Sequence, residues 1–283
     1  MSEHSRRHRI VRGAALLAQR YFDHYVAHDS AALTYYLLFA LFPLLIFLNN
    51  LIGLLAFDLE PLLAEAAAIV PQDVVGLLRQ YLDYISRVSS RSLMWFSLVF
   101  TVYFPYRAVN ALFFSVRKAY GAGLPSRFLR SQLRALLYTV LLIATIFLSV
   151  AILSVGRRAL EFVSNYVYVS DLAISLWTRL RFVLLGVILF FMIALLYALS
   201  LDERQIRHGI LPGVLVSLAA WIALSMFFSL YVEHMGRYSI IYGSIGTIIV
   251  LLLWLYLSAT MLILGAEFNS VLLRTRSSEE ENQ

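Results

Sequence analysis

Six residues in this chain sit where hydrocarbon should exclude them. Tyr35 and Tyr36 fall early in a first long apolar run, Arg107 and Asn110 late in a second, and Glu267 and Asn269 at the end of the last. A charged group inside an apolar span is costly, and where it persists it marks a ligand path, a proton relay or a paired charge. If the runs cross a membrane alternately, all six gather near one leaflet, with Asn49 and Asn50 closing the first run on the opposite side. Two chemistries then suit Arg107. Its planar guanidinium can take a phosphate or carboxylate at head-group level, or it can pair with Glu267, neutralising both charges and locking two helices. The two are compatible, because a ligand could displace Glu267.

Other reactive groupings are sparse. His24 and His28 are four apart and would share a helix face suited to two metal ligands. No third ligand is evident, since Asp23 and Asp29 point elsewhere on the helical wheel, so solvated surface histidines are the expectation. The sequence has no cysteine, which removes disulfides, zinc thiolates and thiol nucleophiles. It also lacks the P-loop, GxGxxG, HExxH and GxSxG patterns. The expectation is a protein with no cofactor, no metal and no catalytic residues, and not an enzyme.

The elements that position these residues follow from composition. Hydrophobic residues make up 61% of the 283 and charged residues 14%, with a mean hydropathy of +0.78. A water-soluble surface cannot be built from so few charges, whereas a bilayer accepts runs of about 20 apolar residues as spanning helices. Six spans are expected, near 31–57, 93–116, 133–155, 180–201, 210–232 and 243–266. The fold class is all-α, a polytopic membrane protein forming one domain over 1–283. Residues 1–30 form an amphipathic surface helix, 31–266 the bundle and 267–283 a tail that ends in Glu279, Glu280 and Glu281 and is expected to be disordered.

Within this frame Pro43 predicts a kink or tilt in the first span. Pro61 and Pro71 stand where helices could begin, and the apolar stripe Leu77, Leu78, Tyr81, Leu82, Ile85 and Val88 predicts an amphipathic helix from Val74 onward. Tyr166, Tyr168 and Trp177 suit an interface belt in the connection near 157–179. Tyr242, Gly243 and Gly246 suit a tight loop-to-helix junction, and Gly265 permits close helix contact. Gly213 forms a GxxxG with Gly209 beside Pro212.

Charge sets the expected orientation. The N-terminal Arg6, Arg7, Arg9, Arg12 and Arg20 fall on one side with Arg117, Lys118, Arg127, Arg130, Arg134, Arg204, Arg207, Arg274 and Arg276. The other side holds Arg79, Arg87, Arg91, Arg157, Arg158, Arg179, Arg181 and Arg237. This excess predicts both termini in the cytoplasm. The net charge of +6 is distributed beside span ends, which suits anionic head groups better than nucleic acid. Membrane lipids, envelope partner proteins or a second copy are the expected partners, and nucleic acid is not.

Several segments carry a resemblance that spacing alone does not supply. They are AALTYYLLFALFPLL at Ala31–Leu45, LPG at Leu211–Gly213 followed by Trp221, YGSIG at Tyr242–Gly246 and LLWLYLSATMLILGAEFN at Leu252–Asn269. In order and spacing the chain resembles the YihY/BrkB family of bacterial inner-membrane proteins, once labelled ribonuclease BN. Family members often have a proline-containing segment after the fourth span, where this chain reads SLDERQI at Ser200–Ile206. The resemblance implies a multi-pass inner-membrane protein linked to envelope integrity and to movement of lipids or lipid-like molecules. A transporter or flippase-like protein for an anionic amphiphile, without its own ATPase, is the leading expectation. A structural scaffold of an envelope complex is the alternative, and nothing in these residues resembles a metal-dependent nuclease site.

Overall fold

A computed structural model describes residues 3–55, 63–64, 67, 72–88, 91–123, 125, 127–164, 171–201, 209–234 and 238–280. Among these residues there are eight helices and no strand. In chain order they are α1 (Glu3–Asp23), α2 (Val26–Leu55), α3 (Gln72–Val88), α4 (Arg91–Ala119), α5 (Phe128–Ser164), α6 (Asp171–Ser200), α7 (Leu211–His234) and α8 (Tyr238–Glu280).

Six of them are long and apolar enough to cross a membrane: Val26–Phe47, Trp95–Ala119, Phe128–Val150, Leu180–Ser200, Leu211–Val232 and Ile245–Leu273. The order matches the sequence expectation, but several boundaries move, the third span by five residues at each end. The first span begins at Val26 rather than 31. The second extends to Ala119, and the sixth continues past Glu267 to Leu273. The tail is not separate from the bundle either. α8 runs on to Glu280, and Asn269, Ser270 and Val271 are buried.

Packing is densest between α2 and α4, and between α7 and α8, with α8 also against α2 and α4. α5 and α6 complete the bundle. Small residues set the α7–α8 approach. A methyl placed on Gly265 would lie 1.8 Å from Ser217 Oγ, and one on Gly213 would lie 2.7 Å from the Gly265 carbonyl. Backbones that close exclude any side chain. Beside them Tyr197 is fully buried, its hydroxyl 2.6 Å from Ser217 Oγ and donating to the Leu262 carbonyl at 2.5 Å.

The buried core, including Val109, Val116, Ala135, Tyr138, Leu196, Tyr197, Val214, Ile263 and Ala266, lies mainly in the half of the bundle that bears both chain ends. There Arg117 is buried and donates to the carbonyls of Ser200 and Gly123. A cation on the last carbonyls of α6 meets groups that a helix C-terminus leaves unpaired.

α3 is the amphipathic helix expected from Val74. Val74 and Val75 are buried, and Val75 packs with Leu45, Leu63 and Leu78, while Arg79 and Asp83 face outward. Pro43 lies buried within α2. Gly243 and Gly246 sit inside α8, which starts at Tyr238, so they do not form the expected loop-to-helix junction. Pro61, Pro71, Tyr166 and Tyr168 lie outside the described residues, as do the side chains of Asn49, Asn50, Trp177 and Tyr242.

Candidate functional site

The six polar residues do not form one cluster. They separate into a network at the chain-terminal end of the bundle and a second group at mid-span.

The terminal network begins with α1. Its last turn bends through Tyr25, a non-glycine residue at φ 53°, with the Tyr25 N–H donating to the Phe22 carbonyl at 3.1 Å. This left-handed residue turns α1 back across the bundle end, against α8 and α2. Arg20 Nη1 then donates to Glu267 Oε2 at 2.9 Å, to Ser270 Oγ at 3.0 Å and to the Ala119 carbonyl at 3.1 Å. His24 Nδ1 contacts the other carboxylate oxygen of Glu267. Glu267 is fully buried, so its charge requires these partners. The expected Arg107–Glu267 pair is therefore corrected to Arg20–Glu267–His24, because the docked α1 delivers a cation and an imidazole that Arg107, deeper in its span, does not.

His24 and His28 accordingly do not converge as metal ligands. His24 faces Glu267, whereas His28 is exposed with Nδ1 3.8 Å from Asp29. Nor does α1 merely rest on a membrane surface, since its C-terminal turn is bonded into the bundle.

Asn269 is also fully buried and makes three bonds. Its Oδ1 accepts from the Gly213 N–H at 3.1 Å, and its Nδ2 donates to the Gly209 carbonyl at 2.8 Å and to the Tyr120 hydroxyl at 2.6 Å. The Gly213 N–H belongs to the first turn of α7 and has no partner within that helix. Asn269 therefore caps α7 from α8. Gly209 holds a left-handed φ of 87° at this junction, and Pro212 occupies the first turn of α7, where a missing N–H does no harm. Burial pushes the Tyr120 phenol above its ordinary range, and the bond from Asn269 pulls it partly back.

Arg107 stands apart. It lies at the centre of the Trp95–Ala119 span and faces outward from the bundle. Its Nη2 donates to the Tyr36 hydroxyl at 3.0 Å and its guanidinium carbon sits 5.3 Å from the Tyr36 ring centroid. Tyr36 lies about three turns into α2. A second span that reaches Ala119 moves Arg107 from late in its span to the centre of it, and the contact with Tyr36 places that tyrosine at the same level. Among the described residues no carboxylate pairs with Arg107. Asn110 instead donates to the Tyr106 carbonyl of its own helix at 3.1 Å. Tyr35 is exposed and begins a run of rings through Phe39, Phe104, Phe100 and Phe96, with successive centroids 4.3 to 5.6 Å apart.

Three charged partners escaped the sequence reading. Arg20 was visible only as one of several N-terminal arginines. Asp29 and Lys118 were visible only as charges at span ends, yet Lys118 Nζ lies 2.5 Å from Asp29 Oδ2. The depth of Arg107 had a signal in Pro105, two residues earlier and within α4. A helical proline leaves the carbonyl four residues before it without its donor, a feature of membrane helices where neighbours compensate.

Against this geometry, the family model described as Virulence factor BrkB matches residues 17–283. The chain belongs to the BrkB family. The match begins just before Arg20 and includes every residue of both polar groups. The putative ribonuclease-like protein YfkH of Bacillus subtilis is 29% identical over 265 residues, covering 92% of this chain and 96% of that protein. A UPF0761 membrane protein of Coxiella burnetii is 26% identical over 269 residues, covering 91% and 92% respectively. No solved structure matches the chain. Like its UPF0761 relative, this BrkB-family chain is a membrane protein, with six apolar helices arranged for multiple crossings.

Proposed function

We propose that this BrkB-family protein resides in a bacterial inner membrane with both termini in the cytoplasm. There it moves an anionic amphiphile, a phospholipid or another charged envelope lipid, between leaflets without ATP hydrolysis and without enzymatic chemistry. The observation that carries this reading is Arg107, an outward-facing cation at mid-span whose described polar partner is the neutral Tyr36 hydroxyl. A charge facing hydrocarbon at that depth is costly unless something anionic or aqueous meets it. A phosphate crossing the membrane faces the same barrier, and a guanidinium at the midpoint lowers it. The excess of basic residues at the terminal end supports the orientation.

The test is leaflet exchange of fluorescent phosphatidylglycerol in proteoliposomes, read by dithionite quenching. Wild type should accelerate exchange over empty liposomes. Arg107→Ala should slow it about tenfold or more, the value of a lost charge-assisted hydrogen bond. Wild-type exchange at the protein-free rate, or an unaltered Arg107→Ala, would sink the proposal.

A second reading, a scaffold of an envelope complex that transports nothing, is favoured by the terminal network. There Glu267 ties α8 to α1 and Asn269 ties α8 to the first turn of α7, as a structural lock would. It predicts that substitutions at Arg107 and Glu267 change stability and leave lipid distribution untouched.

A further inference from the structure

One face of α4 joins the mid-span arginine to the chain-terminal end of the bundle. Phe96, Phe100, Tyr103, Arg107, Phe114 and Lys118 follow at three- and four-residue steps and their multiples, so at 3.6 residues per turn they form a single stripe. Phe96, Tyr103 and Phe114 on it are exposed. Arg107 and Lys118 are separated by three helical turns, roughly 16 Å along the axis. Both cations therefore face the same lipid-exposed side, one at mid-membrane and one at the membrane boundary. Beyond Arg107, the described part of the stripe carries only aromatic rings.

Lys118 is paired but still reachable from outside the bundle. Its Nζ lies 2.5 Å from Asp29 Oδ2 and 5.7 Å from the Phe114 ring centroid, and both members of the pair keep solvent access, with side chains 26% and 16% exposed. Asp29 has a second donor, Ser115 Oγ at 2.9 Å, with the His28 ring 3.8 Å away. If the ammonium leaves, the carboxylate is not stranded. Such a pair can exchange partners, unlike the buried Arg20–Glu267 contact.

We propose that Lys118 is the inner-leaflet docking point for the phosphate of an anionic lipid. The phosphate displaces Asp29, which falls back on Ser115, and the head group then moves along the α4 stripe to Arg107 while its acyl chains stay in the bilayer. This rests on the transport reading and adds the side from which the lipid loads.

Native mass spectrometry of the full-length protein, taken from membranes of mixed phosphatidylglycerol and phosphatidylcholine, counts the retained lipid. Asp29→Asn should raise phosphatidylglycerol retention about two- to fivefold by removing the carboxylate that competes for a partly exposed ammonium. Lys118→Met should lower it, and Lys118→Arg should restore it. Because Lys118 is the one lysine in the sequence, acylation of its amine gives a second readout that needs no variant. It should be slower in nanodiscs containing phosphatidylglycerol than in pure phosphatidylcholine, and inorganic phosphate should not reproduce the slowing.

Unchanged retention in both Asp29→Asn and Lys118→Met, with Arg107→Ala still slowing exchange, would overturn the docking point alone. Failure of Arg107→Ala and of the Lys118 variants together would overturn both readings. Protection of Lys118 by inorganic phosphate equal to that by the lipid would identify a free-anion site and overturn the lipid assignment.

Discussion

The buried carboxylate of Glu267 makes the sharpest stability prediction. Arg20 is 11% exposed and Glu267 1% at the side chain, so the pair is almost fully desolvated. Removing one member of such a pair leaves an uncompensated buried charge, at a typical cost of about 3–5 kcal/mol. In Arg20→Met, Glu267 keeps His24, which places the loss near the lower bound, about 3 kcal/mol. In Glu267→Met, Arg20 keeps Ser270 Oγ and the Ala119 carbonyl, so the cost is about 2–3 kcal/mol. The double variant buries two apolar side chains of similar length and strands neither charge. It should therefore be less damaging than the sum, with a coupling of at least about 1 kcal/mol. Unfolding in nanodiscs or mixed micelles, followed by heat and by SDS titration, measures this cycle. A parallel cycle with Arg107→Met and Glu267→Met should be additive to within about 0.5 kcal/mol, because the two residues share no partner. Additivity in the first cycle, or coupling in the second, would refute the assignment of Glu267 to α1.

Further perturbations test the remaining contacts. Asn269→Ala strands the Gly213 N–H, the Gly209 carbonyl and the Tyr120 hydroxyl, and should destabilise by about 3 kcal/mol in the same unfolding assay, given about 1–3 for each unsatisfied group. A loss below about 1 kcal/mol would mean that Asn269 does not cap α7. Gly265→Ala should cost about 1–3 kcal/mol by forcing α7 and α8 apart, and Ser217→Gly should recover part of it by removing the Ser217 Oγ and Cβ contacts. Full tolerance of the alanine would show a wider helix separation. Tyr25→Gly should be neutral or raise the melting temperature, since glycine relieves a left-handed residue that costs about 1 kcal/mol, whereas a marked loss would point to a role for the exposed ring. The folded state holds the Tyr120 proton more tightly than the unfolded chain, whose tyrosines titrate near 10. Stability therefore falls as pH rises past about 10, and Tyr120→Phe should flatten that fall in melts across the alkaline range. An identical slope in both proteins would contradict this.

Much of the architecture was legible because hydrocarbon leaves few choices. Apolar runs of this length must satisfy their backbone internally, so span number, helical class and the amphipathic helix beginning near Val74 follow from residue types alone. Gly213 and Gly265 were readable as sites of close approach for the same local reason, the absence of a Cβ. Depth was harder. Arg107 appears late in a span when the apolar run is cut at 116, and central once the helix extends through the amphipathic turn that ends at Ala119. Hydropathy loses contrast there because Arg117 and Lys118 end the run, although the helix continues.

Partner choice was not legible at all. The sequence offered Arg107 as the partner of Glu267, and only the left-handed turn at Tyr25, which folds α1 back onto α8, decided for Arg20 and His24. Likewise Asn269 reads as a candidate ligand group at the end of the last span until α8 lies against the first turn of α7, where its side chain caps the Gly213 N–H. The sequence by itself determined which residues cannot face lipid unpaired. Their pairing was decided by tertiary structure, because partners lie tens to hundreds of residues away and a hydrogen bond depends on distances that no local periodicity encodes. Among the described residues, packing gives Arg107 a neutral tyrosine and no carboxylate, and that is why the search for a ligand starts there.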